Sequence, residues 1–351
     1  MKRMKWLWLF VLLGFLLAAC TDDEAVVKKA VKEPVAAEAD EPLKIGFAMD
    51  TLKEERWVKD RNLFRQAVES HGVRVEITAA NGDDARQIAQ AEEMIQKGID
   101  LLVIVPHNAE ATAAIVHKAH KAGIKVIAYD RLVKNAEIDL YVSFDNEKVG
   151  EIQAEAMLAK VPKGNYVFIG GAPTDNNAHL LKKGVFKVLQ PAIDRGDIRI
   201  VYDQWTEDWA PENAFANMSE ALETNGNRID AVIAANDATA GGAVEALKVQ
   251  GLDGEIPVAG QDAELAAVQR IVSGTQTMTV YKPIQTLSER VAALAVHLAK
   301  GNEFSAIDSI NNGKSEVPSV LLEPVAVDEG NIRETVIADG FHTEADVYGG
   351  D

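Results

Sequence analysis

The sequence predicts an α/β protein with two doubly wound parallel-sheet lobes joined by a multi-strand hinge. Short apolar runs, typical of strands buried on both faces, alternate with segments of helical periodicity along most of the chain. The alternation occurs as two series, each about the size of one domain. A helical and an extended segment follow the second series, which indicates that the chain returns to the first lobe.

The first series begins at the apolar run LKIGFAM, residues 43–49, which ends at Asp50-Thr51. An Asn81-Gly82-Asp83-Asp84 turn leads into the second helix and supplies a helix cap. The pattern predicts strands at 43–49, 73–78, 101–105, 125–129 and 138–144, with helices at 55–71, 84–97 and 109–122.

The second series has the same pattern, followed by the returning segments. It predicts strands near 165–170, 198–202, 230–235, 256–260 and 277–281, and helices near 147–160, 177–190, 211–224, 238–250, 263–273 and 283–300. We expect one final extended piece at 317–327, then a short helix and a loose tail over 331–351. The first lobe would then comprise 43–145 and about 283–312, and the second 146–282 and about 313–351.

The N-terminus has the pattern of a bacterial targeting signal. Positive charges precede an apolar stretch that is too short to span a bilayer, and Leu17-Ala18-Ala19 stands directly before Cys20, the only cysteine. This resembles a lipobox, so we expect residues 1–20 to be a lipoprotein signal and Cys20 to carry lipid. The alternative is an ordinary secretory signal with an incidental cysteine. The acidic stretch 21–42 would be a flexible tether, and the protein would be extracytoplasmic, anchored to the cell membrane.

Composition excludes one class of partner. The chain has 351 residues and a formal charge of −18. Phosphate backbones require clustered lysine and arginine, so nucleic acid is not an expected partner.

The sequence contains no GxxxxGK[ST], GxSxG, HExxH or GxGxxG motif, and the histidines are scattered. We therefore expect no enzymatic activity, no cofactor and no metal.

Polar residues gather where predicted strands end. Such ends meet at one edge of a parallel sheet, where ligands bind. Asparagine, aspartate, arginine and lysine are suited to vicinal hydroxyls, each of which donates and accepts. For any single residue, capping of the next helix is the simpler explanation, but five clusters at the same end of successive strands are much harder to attribute to caps alone. The clusters are Tyr129-Asp130-Arg131, Asp175-Asn176-Asn177, Asn236-Asp237, Gln261-Asp262 and Tyr281-Lys282.

Tryptophans lie near two of these ends. Arg56 and Trp57 follow the first strand, and Trp205 and Trp209 occur together in DQWTEDW. An indole ring offers a flat apolar face to the C–H side of a pyranose. An ordinary amphipathic helix start explains Trp57 equally well.

Several segments together resemble the periplasmic sugar-binding proteins of the ribose/galactose type. They are ERWVKDR, YDR, SFDNEKVGE, DNNA, NDATAGGA, GQDAELA and GTQTMTVYKP, spread from residue 43 to the C-terminal region. The resemblance implies a type I periplasmic binding protein fold whose two lobes close over one sugar. It implies polar ligands at Arg56, Arg131, Asn177, Asn236, Asp262 and Lys282, stacking rings at Trp57 and Trp209, and neighbouring roles for Asp130, Asn176 and Asp237.

The resemblance also implies the partners. We expect a monomer that binds a monosaccharide, D-xylose or a related aldose, and delivers it to the membrane subunits of an ABC permease. A sensor presenting the sugar to a membrane kinase or chemoreceptor has the same lobes and remains open. A sugar-responsive transcription regulator would need a DNA-binding headpiece, and the signal and acidic tether in residues 1–42 do not provide one.

Overall fold

The computed structural model describes residues 42–306 and 308–349. The predicted signal peptide with Cys20, and the tether up to residue 41, lie outside the described residues. Among the residues described, no helix combines the length and apolarity needed to cross a membrane.

From residue 44 to residue 299 strands and helices alternate as predicted, with bounds within about one helical turn of those expected. The strands are β1 (Lys44–Met49), β2 (Arg74–Ala79), β3 (Leu101–Ile104), β4 (Lys125–Tyr129), β5 (Leu140–Phe144), β6 (Gly164–Ile169), β7 (Ile198–Gln204), β8 (Ala231–Ala234), β9 (Val258–Ala259), β10 (Met278–Tyr281), β11 (Asp308–Asn311), β12 (Glu316–Leu322) and β13 (Val325–Asp328). The helices are α1 (Glu55–Ser70), α2 (Asp84–Gln96), α3 (Ala113–Lys121), α4 (Asn146–Lys160), α5 (Asn176–Asp194), α6 (Pro211–Asn225), α7 (Asp237–Val249), α8 (Leu265–Ser273), α9 (Ile284–Ala299) and α10 (Glu344–Tyr348), with a 3₁₀ turn at Glu207–Trp209 and a π turn at Arg333–Ile337.

The described strands form two sheets, one in each lobe. The first has the order β11-β12-β5-β4-β3-β1-β2 and the second the order β13-β10-β9-β8-β6-β7. Each is parallel except for one antiparallel edge pair, β11 with β12 and β10 with β13. The predicted fold class, two parallel-sheet α/β lobes, is confirmed.

Both faces of each sheet are covered by helices, which explains the continuous apolar strands. In β3, Leu101 and Val103 belong to one buried cluster, and Leu102 and Ile104 belong to another on the opposite face. Successive strand residues point to opposite faces, so a strand buried on both sides is apolar throughout.

The end of the first lobe was predicted wrongly. Residues 317–327 form two strands, because β12 pairs with β5 in the first sheet while β13 pairs with β10 in the second. Pro324 separates them, and a proline cannot donate to a strand ladder. The first lobe therefore extends through Leu322 rather than ending near 312.

The C-terminal segment is packed rather than loose over the part described, through residue 349. Ile332, Val336 and Val347 are buried with Tyr281 and Val327 in a cluster of the second lobe. The apolar residues in this segment have no regular spacing, so the sequence pattern did not indicate the cluster.

Within the described ranges, three chain segments connect the lobes, at residue 145, at 282–283 and at 323–324. Helix α4 contributes to the second-lobe core, whereas α9 contributes to the first. Such parallel connections allow the lobes to rotate about a common hinge. The strand ends of both sheets face each other beside this hinge.

Candidate functional site

A small cavity lies between the lobes, at the carboxyl ends of strands from both sheets. The lobes are in contact around it, for example where the Ala109 amide donates to the Thr174 carbonyl at 3.0 Å. The cavity is lined by Glu54, Arg56, Trp57, Asp130, Arg131, Asp175, Asn177, Trp209, Asn236, Gln261, Asp262 and Lys282.

All but two of the predicted ligand-binding residues line this cavity. Asn176 is the first residue of α5 and is not part of the lining. Asp237 is buried beneath the site, where its carboxylate accepts hydrogen bonds from Gln276, Thr279 and the backbone amide of Glu264. Their direct contact with a ligand is therefore not supported by the geometry.

Three lining residues were absent from the predicted set. Asp175 and Gln261 belong to clusters that the sequence already singled out, each within two positions of a predicted residue. Glu54 precedes α1, and nothing in the local pattern distinguishes it. The cap explanation and the site explanation both hold for Asn236, which lines the cavity and also accepts the Thr239 amide at the start of α7.

Arg56 joins carboxylates of both lobes. Its Nη2 lies 2.9 Å from Asp130 Oδ2 in the first lobe, and its Nη1 lies 3.3 Å from Asp262 Oδ1 in the second. Lys282, in a hinge segment, lies 3.0 Å from the same Asp262 oxygen. All four side chains are almost fully buried.

Arg131 makes a second bridge between the lobes. It lies 2.8 Å from Asp50 in the first lobe and 2.8 Å from Asp175 in the second. The carboxylate of Asp175 also caps α5 by accepting the Asn177 amide. Arg56 and Arg131 therefore each have an ion pair across the lobes that forms only in this relative position of the two lobes.

The charges of the site stabilise one another. Burial would raise the pKa of Asp130, but Arg56, Lys282 and Arg131 outweigh it and hold that pKa below its ordinary value. Burial would likewise lower the pKa of Arg56, whereas Asp130, Asp60 and Asp262 raise it well above its ordinary value. At neutral pH, Arg56 and Asp130 are therefore a charged pair that presents fixed donors and acceptors.

Backbone strain concentrates at the lining. Asp130, Trp209 and Asp262 adopt positive φ angles of 60°, 55° and 97°. This conformation is unfavourable for a non-glycine residue, and such strain collects where side-chain direction matters for function.

Trp209 lies against a position that only glycine can occupy without displacement. An ideal Cβ on Gly171 would come within 2.2 Å of Cη2 of Trp209. Trp205 packs outside the cavity with His179 and Lys182. Trp209 is therefore the member of DQWTEDW that lines the site, as the sequence predicts.

Trp57 lines the site in a different manner. The guanidinium carbons of Arg56 and Arg131 lie 4.3 and 5.1 Å from the centre of its ring. These cation–π contacts orient both arginines as well as presenting the indole.

Two buried polar atoms of lining residues lack a hydrogen-bond partner among the residues described. They are the indole Nε1 of Trp209 and the Oε2 of Glu54. Burying such a group unpaired costs about 1–3 kcal/mol, so a ligand that pairs with both would gain affinity.

Two lobes with a charged, indole-lined cavity at the hinge have the architecture of a receptor for a small polar molecule. The membership of this chain in a particular family follows from comparison. The model of the periplasmic binding protein domain family matches residues 45–303. The chain therefore belongs to the periplasmic binding protein family, and the resemblance found in the sequence is confirmed.

Individual relatives share much of the chain. The D-xylose-binding periplasmic protein of Haemophilus influenzae is 55% identical over 306 residues, covering 87% of this chain and 92% of that protein. The D-xylose-binding periplasmic protein of Escherichia coli K12 is 52% identical over 313 residues, covering 89% and 94%. The crystal structure of an ABC transporter solute binding protein from Clostridium phytofermentans with bound β-D-glucose has a TM-score of 0.81 at 32% identity, covering 87% and 99%.

Proposed function

We propose that this protein is an extracytoplasmic receptor that captures D-xylose in the cleft and delivers it to an ABC permease. The observation that carries the proposal is the buried lining, which combines Arg56, Asp130, Asp262 and Lys282 with the indole of Trp209. Ring hydroxyls both donate and accept, so they need groups of both kinds. The C–H face of a pyranose needs a flat apolar surface.

The unpaired atoms of the lining support the same class of ligand. A sugar hydroxyl accepts from the indole N–H of Trp209, and another donates to Glu54 Oε2. Burial raises the pKa of Glu54 and is only partly opposed by Arg131, so a hydroxyl donor at this carboxyl would favour its charged form.

The two lobes provide the mechanism. Because Arg56 and Arg131 contact carboxylates of both lobes, the site is complete only when the cleft is closed. A sugar held by both lobes binds the closed form more tightly than the open one and shifts the population toward it. The permease would then recognise the closed arrangement. The groups that would hold the sugar all belong to one chain, so the proposed receptor works as a monomer.

The choice of D-xylose rests on the relatives. Two proteins that are more than half identical to this chain are D-xylose-binding periplasmic proteins. The glucose-bound protein is less similar, at 32% identity. It is an ABC transporter solute binding protein, which supports a permease as the receiving partner of this chain.

Isothermal titration calorimetry with D-xylose tests the proposal. We expect saturable binding of one sugar per chain at micromolar or tighter affinity, about −8 kcal/mol or better. Chromatography of the mixture should return the sugar unchanged. Turnover of the sugar would instead indicate an enzyme, and absence of binding would contradict the D-xylose assignment.

We also propose that Cys20 anchors the protein to the membrane through lipid. The proposal rests on the Leu17-Ala18-Ala19-Cys20 motif and on Cys20 being the only cysteine. Cys20→Ala should move the protein from the membrane fraction to the soluble fraction and abolish incorporation of labelled lipid. Membrane association that is unchanged in the variant, with no lipid label on the wild type, would contradict the anchor.

A further inference from the structure

A buried carboxylate lies behind the site rather than in it. Asp60 is four residues after Arg56 on α1, is fully buried and does not line the cavity. Its Oδ2 accepts from Nε of Arg56 at 3.1 Å. Arg56 is thereby held through its Nε, while its two Nη nitrogens meet Asp130 and Asp262.

A hydroxyl pair holds Asp60 in turn. The hydroxyl of Tyr129 donates to Oδ1 of Asp60 and lies 2.9 Å from Oγ of Ser288 on α9. The three residues come from α1, β4 and α9, and they meet within the apolar core of the first lobe. The rings of Phe47 and Phe64 pack there against Tyr129.

Folding stability is a weak explanation for this buried group of Arg56, Asp60, Tyr129 and Ser288. A buried ion pair is often no more stable than well-packed apolar residues of the same volume. The hydrogen bond from Nε to Asp60 does fix the orientation of the planar guanidinium. It therefore fixes the directions in which Nη1 and Nη2 donate.

We propose that Asp60 is a positioning residue for sugar binding, which it supports by orienting Arg56, and that Tyr129 and Ser288 hold Asp60 for this task. The proposal rests on the proposed function, since the sugar is the ligand that Arg56 would meet. Asp60 itself does not touch the sugar.

The charge of Asp60 supplies a readout. Burial raises the pKa of Asp60 to about 6, with Arg56 and the Tyr129 hydroxyl opposing the rise and Asp130 adding to it. Protonation below that pH weakens the hold on Arg56, so wild-type affinity for D-xylose should fall as pH drops through about 6. Folding stability has the opposite sign: a raised carboxyl pKa costs stability as pH rises through this range.

Two variants, titrated calorimetrically with D-xylose between pH 5 and 8, test the proposal. Asp60→Asn should bind at least about tenfold more weakly at pH 7.5, without loss of thermal stability, and should lose the transition near pH 6. Tyr129→Phe removes a hydrogen bond that lowers the pKa of Asp60. Tyr129→Phe should move the midpoint of the pH-dependent fall in D-xylose affinity to higher pH and weaken binding severalfold.

Tyr166→Phe is the matched control, because its buried hydroxyl donates to Met157 and Val161 carbonyls in the second lobe. It should leave both affinity and midpoint unchanged. A wild-type midpoint that persists in Asp60→Asn, or a Tyr129→Phe midpoint equal to that of the wild type, would overturn the positioning role. Wild-type protein that binds no sugar at any pH would instead overturn the proposed function.

Discussion

Replacing Arg56 by methionine should weaken D-xylose binding at least about a hundredfold, roughly 2.7 kcal/mol. The guanidinium neutralises Asp130 and Asp262, which belong to different lobes and approach each other only when the cleft closes. Removing one partner of a buried charge group costs about 3–5 kcal/mol because the other charges stay buried. Closure then has to bring together carboxylates that repel.

The measurement is a calorimetric titration, with thermal unfolding to verify that the variant is folded. Arg65→Met is the matched control, since Arg65 is an exposed residue on the same helix. It should bind as tightly as the wild type. Equal affinity of Arg56→Met and Arg65→Met would show that Arg56 does not contribute to the site.

Trp209→Ala should cost about 2–4 kcal/mol of D-xylose binding, roughly thirtyfold to a thousandfold. The variant removes the flat face and the unpaired indole N–H from the lining. Trp205→Ala is the control, because both indoles pack on the same second-lobe core but only Trp209 lines the cavity. Both variants should lose thermal stability, whereas only Trp209→Ala should lose much affinity. An equal or greater loss of affinity in Trp205→Ala would contradict the assignment.

The order of elements could be predicted because two-sided burial leaves a clear signal. Strands such as β3 are apolar at every position, and helices between them carry a regular period. Pro324 marks a break between two strands that the sequence shows. Which sheet each strand joins depends on its pairing with β5 or β10, which lie far away in the chain. Strand β11 has the polar sequence DSIN and pairs at an edge, so no apolar pattern marks it.

The location of the site could be predicted because parallel strand ends meet at one edge. The sequence did not show which residue of each polar cluster faces the cavity. Asn177 points to the lining and Asn176 does not, because adjacent helix positions diverge by about 100°. Asp60 and Tyr129 lie 69 positions apart in the chain, so only folding brings the carboxylate and hydroxyl together.

Comparison of sugars in one calorimetric series tests the central claim, a D-xylose receptor, most directly. In a closed cleft, each missing or inverted hydroxyl leaves a buried group unpaired at about 1–3 kcal/mol, and the extra hydroxymethyl of a hexose opposes closure. We predict that D-ribose and D-glucose bind the wild type at least about tenfold more weakly than D-xylose, a gap of roughly 1.4 kcal/mol. Ribose or glucose binding as tightly as xylose would contradict the D-xylose assignment, and no binding by any aldose would contradict the sugar receptor itself.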